Sequence, residues 1–304
     1  MPIDPLLHTQ VDVAAAPSPC FVVHLGALRQ NCEMLKLVQD RTGAEILLAL
    51  KGFAMWGVFP IVKQYLSGTC ASSILEARLG FEHFGPHVHA YCPAYKDDEI
   101  AEYGRYCSHI SFNSAAQWAR HHAALARCER RVSPGVRINP EHREVEVAIY
   151  DPCGPRSRLG IRVADFAKMD RSGLEGLHVH NLCEKNADSL ERTLAAVRAK
   201  FGPFIKGMQW MNLGGGHHIT RPDYTLELLI QLVTDFRKEF GVQVVMEPGE
   251  AIGLNTGVLV TTVMDIIDND GPIAILDTSA SCHMPDVLEM PYRPSIVGAG
   301  QPQA

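Results

Sequence analysis

The sequence predicts an α/β protein: a (β/α)8 TIM-type barrel with a C-terminal β domain that is incomplete in this chain. Short β-rich runs alternate with longer helical patterns through most of the 304 residues, and such alternation produces a parallel sheet covered by helices. About eight βα units occupy roughly 230 residues, which favours a closed barrel over an open sheet. After Pro248 the helical spacing ends and strand-like runs follow.

The predicted elements of the barrel follow from hydrophobic periodicity. Strands are predicted at residues 20–24, 45–50, 68–71, 88–91, 109–112, 135–138, 173–178, 208–213 and 243–247. Helices are predicted where apolar residues recur at intervals of three and four. They cover residues 25–39, 59–65, 74–84, 115–126, 187–201 and 225–240.

The C-terminal part of the sequence has the composition of strands. Residues 254–267 are rich in Val, Thr, Leu and Ile without helical spacing, a Gly-Pro turn follows at Gly271, and residues 273–276 are another strand. Two or three strands are fewer than an independent β domain normally has. We therefore expect residues 1–24 to pair with the β domain, residues 25–250 to form the barrel and residues 251–304 to form a partial β domain.

Composition excludes several classes of protein. Hydrophobic residues make up 46% and charged residues 20%, which excludes a disordered, collagen-like or coiled-coil chain. The net charge of −6 gives no reason to expect a nucleic-acid partner.

No apolar segment is long enough to span a membrane and no signal peptide is evident, so a cytoplasmic location is expected. Nine cysteines without a Cys-x-x-Cys pair predict reduced thiols.

Lys51 ends an apolar strand run and directly precedes a glycine. Reactive groups gather at the C-terminal ends of strands in a parallel barrel. Apolar neighbours would partly desolvate the amine and favour its neutral form, which suits Schiff-base formation with an aldehyde. The alternative is a lysine whose charge simply reaches from a strand end into water.

Gly214, Gly215 and Gly216 directly follow a predicted strand. Glycines allow positive φ, so successive N–H groups can converge on an anion as in phosphate-binding nests. The run has neither the spacing of the dinucleotide fingerprint nor the Lys-Ser/Thr ending of a P-loop. A phosphate cradle is predicted, with a tight structural turn as the alternative.

Two other strand ends carry polar side chains. His178 and His180 share one side of a strand, and could be two ligands of one metal ion in a barrel hydrolase, although no further strand-end ligand set is evident. The other use is an imidazole stacked on a ring. Glu247 precedes a Pro-Gly turn, where a carboxylate could hold a proton on a ring nitrogen or simply serve the turn.

Along the chain the four elements come in the order Lys51, His178, Gly-Gly-Gly and Glu-Pro-Gly. This order resembles that of the alanine-racemase-like, or group IV, pyridoxal-phosphate decarboxylases. The longer motifs are similar to one branch in particular, the carboxynorspermidine (carboxyspermidine) decarboxylases, over essentially the whole chain. These motifs are Pro19-Cys-Phe-Val-Val, Leu48-Ala-Leu-Lys-Gly-Phe-Ala-Met-Trp, Gly176-Leu-His-Val-His-Asn-Leu-Cys-Glu, Asn212-Leu-Gly-Gly-Gly-His-His-Ile-Thr, Glu247-Pro-Gly-Glu-Ala and Cys282-His-Met-Pro-Asp-Val-Leu-Glu-Met-Pro-Tyr-Arg-Pro.

The resemblance implies that the chain binds pyridoxal 5′-phosphate. It implies that Lys51 forms the Schiff base with the cofactor and that His178 stacks on the cofactor ring. It also implies that the three glycines supply N–H groups to the phosphate and that Glu247 pairs with the pyridine nitrogen.

Glu250 departs from the ornithine-decarboxylase pattern, which has Arg at this position. An anion in place of a phosphate-binding cation removes one clamp on the cofactor and creates a site for an ammonium group. Asp286, with Glu289 nearby, supplies further carboxylates. We therefore expect Glu250 and Asp286 to contact a polyamine-like substrate; the alternative for Asp286 and Glu289 is a solvated surface position.

We expect a homodimeric, pyridoxal-phosphate-dependent decarboxylase of carboxynorspermidine or carboxyspermidine; one methylene does not separate the two substrates. The alternatives are a diaminopimelate or other basic amino-acid decarboxylase, a cofactor-binding homologue without activity, and a metal-dependent barrel hydrolase. Members of the family continue through a Cys-Leu-Ala-Gly-Asp-like motif and a tyrosine that complete the active site. The pocket of the 304-residue chain is therefore expected to be unfinished.

Overall fold

A computed structural model describes residues 12, 14–289, 292–297 and 299. The other positions, which belong to the predicted N-terminal segment and the predicted β domain, lie outside the described residues. The chain divides into two compact units: the first contains Arg29–Leu254, and the second contains the described parts of Ile3–Leu28 and Asn255–Ala304. All nine cysteines are free, as predicted.

The strands and helices of the described residues are as follows. The strands are β1 Cys20–Val23, β2 Glu45–Ala49, β3 Gly68–Ala71, β4 Val88–Tyr91, β5 His109–Phe112, β6 Ser133–Asn139, β7 Ile161–Arg162, β8 Gly176–His178, β9 Trp210–Asn212, β10 Gln243–Met246, β11 Gly257–Val260, β12 Val263–Asp268 and β13 Pro272–Leu276. The helices are α1 Leu25–Thr42, α2 Phe59–Val62, α3 Ile74–His83, α4 Ile100–Tyr106, α5 Ala115–Leu125, α6 Val163–Phe166, α7 Ala187–Ile205, α8 Leu226–Phe240, α9 Glu250–Gly253, α10 Ala280–His283 and α11 Asp286–Glu289.

Parallel strands of the first unit close into a barrel, which confirms the predicted fold. Their order is β2-β3-β4-β5-β6-β8-β9-β10, and β7 pairs with the end of β6. The ring closes because Val245 and Met246 of β10 pair in parallel with Glu45 and Ile46 of β2. Strands covered on both faces are apolar throughout, and β2 accordingly buries four of its five residues.

Helices cover the barrel with the apolar stripes that the sequence pattern predicts. Helix α8 buries Leu229, Ile230, Val233 and Phe236, and Gly241 ends it in the left-handed conformation that glycine favours. Helix α4 was not predicted because its seven residues are too few to display a clear period. Within the described residues, no helix is long and apolar enough to cross a membrane.

Aromatic rings close the end of the barrel at which the strands begin. The Trp210 indole lies across two glycines: a Cβ on Gly176 would be 2.0 Å from it and a Cβ on Gly135 would be 2.2 Å from it. The rings of His89 and His109 lie beside the indole, with centroids 6.0 Å and 5.5 Å away. The missing glycine side chains therefore make room for one large ring that fills this end.

The second unit contains two antiparallel strand pairs. Strand β1 pairs with β11, and β12 pairs with β13. The strand-rich run predicted over residues 254–267 contains two strands, β11 and β12. Between them, Asp277 Oδ1 accepts hydrogen bonds from Thr261 Oγ1 (2.8 Å) and the Thr262 N–H (2.9 Å). All residues of β12 and β13 are exposed.

Candidate functional site

The residues predicted from four separate motifs meet at one end of the barrel. Strands β2, β10, β9 and β8 are consecutive neighbours in the ring. Lys51 follows β2, His178 ends β8, the glycines 214–216 follow β9, and Glu247 follows β10. Because parallel strands all end on the same side, these residues share the C-terminal mouth of the barrel.

Lys51 lies in the turn that follows β2. A Cβ on Gly52 would be 3.2 Å from the Gly249 Cα, so the turns after β2 and β10 are in direct backbone contact. The charge of Lys51 is one of the causes that shift the pKa values of His178 and Glu247. The predicted partial desolvation of the amine is wrong: the side chain is exposed, because the residue stands two positions beyond the strand.

Glu247 is a buried carboxyl group whose oxygen accepts a hydrogen bond from a neighbouring amide. Asn212 Nδ2 donates to Glu247 Oε1 at 2.5 Å. Burial raises the pKa of Glu247, while hydrogen bonds from Asn212 and Cys70 and the charges of Arg137 and Lys51 act in the opposite direction. The charge on this carboxyl therefore depends on the donors and cations around it.

His178 is a buried imidazole without hydrogen-bond partners. Only 2% of the residue is exposed, and neither ring nitrogen has a partner among the described residues. Its Nε2 lies 3.6 Å from Glu247 Oε2. Burial lowers the pKa of His178 well below its usual range, and the charges of Arg137 and Lys51 add to that effect. Because buried polar atoms normally have partners, this neutral ring indicates a binding site.

The conformation of the glycine run requires glycine. Gly214 and Gly216 have φ of +71° and +80°, which residues with a Cβ rarely adopt. A Cβ on Gly216 would lie 2.1 Å from the Leu182 carbonyl oxygen, and one on Gly215 would lie 2.4 Å from the Glu247 carbonyl oxygen. The main chain of this loop therefore packs directly against the ends of the neighbouring strands.

The N–H groups of the glycine run are not all available to a ligand. The Gly214 N–H donates to Asn212 Oδ1 (2.8 Å), and the Gly215 N–H donates to His180 Nδ1 (2.9 Å). Among the described residues, the Gly216 N–H has no acceptor. One of the three donors is therefore free, and His180 must carry its proton on Nε2 when it is neutral.

The sequence reading missed Arg137, which lies in β6 beside β8. The guanidinium is buried, donates to the His180 carbonyl oxygen at 2.6 Å, and lies 4.6 Å from the centre of the Tyr91 ring. No described carboxylate forms an ion pair with it. The sequence signal for Arg137 was its place between two apolar residues of a predicted strand. A charged residue at such a position indicates a side chain in the interior of the barrel.

The two predicted substrate-binding acids lie in different units. Glu250 begins α9 in the first unit, and its Oε2 lies 2.9 Å from His218 Nε2 without the alignment of a hydrogen bond. The Glu250 side chain is 53% exposed, whereas that of His218 is buried. Asp286 begins α11 in the second unit and is exposed.

In the structure, the Glu247 carboxylate joins the two histidines that the sequence offered as ligands of one metal ion. One ligand atom each from His178, His180 and Glu247 lies within 4.8 Å of the others. Two imidazoles and a carboxylate are a donor set that zinc accepts. Geometry alone therefore permits either an ion or an organic cofactor at this mouth.

Comparison with curated proteins identifies the family of the chain. The chain is 46% identical over 282 residues to the carboxynorspermidine/carboxyspermidine decarboxylase of Campylobacter jejuni, covering 93% of this chain and 73% of that protein. It is 42% identical over 293 residues to the carboxyaminopropylagmatine decarboxylase of Synechocystis, covering 96% of this chain and 75% of that protein. No family model matches the chain.

Solved structures agree. The carboxynorspermidine decarboxylase of Campylobacter jejuni, crystallised with norspermidine, matches with a TM-score of 0.84 at 45% identity, over 91% of this chain and 72% of that chain. The diaminopimelate decarboxylase of Helicobacter pylori matches with a TM-score of 0.76 at 16% identity, over 90% and 74%, which shows the shared fold alone. The chain belongs to the carboxynorspermidine/carboxyspermidine decarboxylase family and is an enzyme of that family.

Proposed function

We propose that the chain decarboxylates carboxynorspermidine or carboxyspermidine in polyamine biosynthesis, with pyridoxal 5′-phosphate bound at the mouth of the barrel. The decarboxylases of this fold are in general pyridoxal-phosphate-dependent. The observation that carries the proposal is the meeting of Lys51, His178 and Glu247 at one end of the barrel, in a chain that is 46% identical to an enzyme named for these substrates.

The residues at the mouth fit the groups of the cofactor. An exposed amine at Lys51 suits the aldehyde, and the buried ring of His178, whose nitrogens have no partners, suits the face of the pyridine. Glu247 suits the ring nitrogen. The glycine run suits the phosphate, with the Gly216 N–H as its free donor. When bound, pyridoxal phosphate supplies an electron-accepting ring to the carbon that loses its carboxylate.

Glu247 must be ionised to hold a proton on a ring nitrogen. Burial alone opposes ionisation, since it raises the pKa of this carboxyl. The Asn212 amide, the Cys70 thiol and the buried Arg137 guanidinium all favour the charged form. We propose that these three groups keep a negative charge on Glu247 within the barrel.

Glu250 is proposed to bind an ammonium group of the substrate. Its carboxylate is half-exposed at the same mouth, so solvent and substrate can both reach it. Its neighbour His218 is a buried imidazole. The role proposed for Asp286 rests on its carboxylate, which suits an ammonium group. A homodimer is proposed from the resemblance as well. A cytoplasmic location and the division of the chain at residues 24 and 250 are proposed from the sequence pattern.

The test is carbon-dioxide release by the chain purified with pyridoxal phosphate. Carboxynorspermidine and carboxyspermidine are expected to be decarboxylated, whereas diaminopimelate, ornithine and arginine are not. A visible absorption band that disappears in Lys51→Ala reports cofactor binding independently of turnover. Release from diaminopimelate but from neither polyamine precursor would contradict the substrate assignment.

Carboxyaminopropylagmatine is a second candidate substrate, because a relative at 42% identity is named for its decarboxylation. A guanidinium is planar and presents several donors, whereas an ammonium is a compact charge. Comparing kcat/KM for this compound and carboxyspermidine decides between the two. A preference for the guanidino compound would replace the first assignment.

A further inference from the structure

A second cluster of imidazoles lies at the opposite end of the barrel from Lys51. His87 precedes β4, His89 lies in β4 and His109 begins β5. The three ring centroids are 4.0 to 5.5 Å apart. One ligand atom from each residue lies within 4.8 Å of the other two. We call these three residues the floor cluster.

A carboxylate orients one member of the floor cluster. Gly68 of β3 has no side chain, and a Cβ there would lie 2.6 Å from His87 Cδ2. The His87 ring therefore extends over Gly68 to Glu45 of β2, where Nε2 and Oε2 are 2.9 Å apart. A carboxylate bonded to the outer nitrogen of a histidine is the usual partner of a metal-binding imidazole, because it fixes the ring and leaves the other nitrogen for the ion.

The remaining nitrogens of the floor cluster are poorly satisfied. His89 is 4% exposed, and its Nε2 has no hydrogen-bond partner among the described residues. The Ser108 hydroxyl lies 3.3 Å from His87 Nδ1 and 3.0 Å from His109 Nδ1, and it donates to the Val88 carbonyl oxygen. Two ring nitrogens therefore face one oxygen, and a third, buried nitrogen nearby has no partner.

We propose that His87, His89 and His109 bind one transition-metal ion of the zinc class, with Glu45 orienting His87 and water in the fourth position. Three neutral imidazoles suit zinc, nickel, cobalt or copper ions, at about 2.0–2.1 Å for zinc. His89 and His109 stack at 4.0 Å and 20°, so one of them must turn to direct its lone pair at the ion. The His87 side chain is 29% exposed and gives the ion access from solvent.

The ion would act on the barrel rather than on the reaction. It would join β4 to β5 and, through Glu45, to β2, all at the strand-start end. A ligand that binds only the native state stabilises that state by mass action. The expected effect of zinc is therefore a higher Tm with unchanged decarboxylation.

Trp210 provides a reporter for the test, because its indole lies 5.5 Å and 6.0 Å from the rings of His109 and His89. The full chain, saturated with pyridoxal phosphate, is titrated with Zn²⁺ by calorimetry and with Ni²⁺ while tryptophan fluorescence is recorded. We expect one ion per chain, saturable quenching by Ni²⁺ that is lost in Trp210→Phe, and a Tm raised by about 3 °C in Zn²⁺.

Matched variants locate the ion. His87→Asn is expected to weaken binding at least ten-fold, and Glu45→Gln about ten-fold. His142→Asn is the control, since His142 is also 29% exposed and bonded to a carboxylate, Glu144, at 2.6 Å. Should His87→Asn fail to fold, as judged by circular dichroism, Glu45→Gln carries the test.

Three results would overturn the proposal. The first is the absence of stoichiometric binding. The second is binding that His87→Asn and Glu45→Gln leave unchanged. The third is binding that is lost in His178→Asn but retained in His87→Asn, which would place the ion at the mouth of the barrel.

Discussion

The two ends of the barrel both gather imidazoles, but they differ in what surrounds them. At the mouth, His178 lies among a buried carboxyl group, a buried guanidinium and an exposed amine, and the main chain of the glycine run packs against the strand ends. At the floor, His89 and His109 stack on each other beside Trp210. The Glu45 carboxylate contacts the third imidazole, that of His87. Charged groups of both signs occur together at the mouth, whereas rings fill the floor. The difference separates an end built for chemistry from one that closes the barrel.

The largest effect expected at the mouth is that of Lys51→Ala. Loss of the amine removes the nucleophile for the cofactor aldehyde, so kcat for carboxynorspermidine should fall by about 10³-fold or more. The visible absorption band of the holoenzyme should disappear, while Tm changes little because the side chain is exposed. Lys63→Ala, at another exposed lysine, is the control. A variant that retained both the band and the rate would show that the mouth is not the reactive end.

Gly216→Ala tests whether the mouth depends on close backbone packing. A Cβ there meets the Leu182 carbonyl oxygen, and φ is +80°, so we expect a loss of about 3 kcal/mol in the free energy of unfolding by urea. Gly207→Ala is the matched control: φ is +95°, but nothing lies within 4 Å of the added carbon, so it should cost only about 1 kcal/mol. Equal losses in the two variants would mean that φ alone, and not packing, constrains the glycine run.

Glu250→Ala tests the half-exposed carboxylate at the mouth. We expect KM for the cationic substrate to rise about ten-fold, because an ion pair with the substrate is lost, while the affinity for pyridoxal phosphate stays the same. Glu146→Ala, at a side chain 93% exposed, should change neither quantity. Equal weakening of cofactor and substrate binding by Glu250→Ala would instead place the residue at the cofactor phosphate.

The floor should make the protein sensitive to acid. Burial, with a contribution from His87, lowers the pKa of His109 to about 4. The unfolded chain binds the proton near the ordinary pKa of 6.5, so stability falls as pH decreases from about 6.5 to about 4. Unfolding by urea at pH 7.5, 6 and 5 should show a smaller fall in His109→Gln, by at most one proton in slope. His122→Gln, at an exposed histidine of α5, is the control, and an unchanged slope in His109→Gln would contradict this account.

Much of the barrel and its mouth could be predicted from local sequence, because strand runs and strand-end residues carry their own signals. Lys51, His178 and Glu247 each follow or end an apolar run, and parallel strands bring such residues to one edge. These signals do not reveal which side chains inside a strand point inward. Arg137 and Asn212 contact the site from within β6 and β9 for that reason, and neither was recognised.

Long-range pairing explains the other omissions. His89 and His109 face each other only because β4 and β5 pair in that register, and nothing in the sequence fixes the register. The internal acceptors for the N–H groups of Gly214 and Gly215 come from Asn212 and His180, so the sequence overstated how many donors the loop leaves free. The exposure of Lys51 depends on a strand that ends one residue earlier than its apolar run.

Gly52 and Gly249 touch through main-chain atoms, one turn beside Lys51 and the other beside Glu247. The spacing between the two turns that carry Lys51 and Glu247 is therefore set by main-chain atoms, with no side chain between them at this point. A single methyl group added to either glycine would act as a wedge between the two turns. Such a change would displace the main chain beside Lys51 and Glu247 without altering either residue.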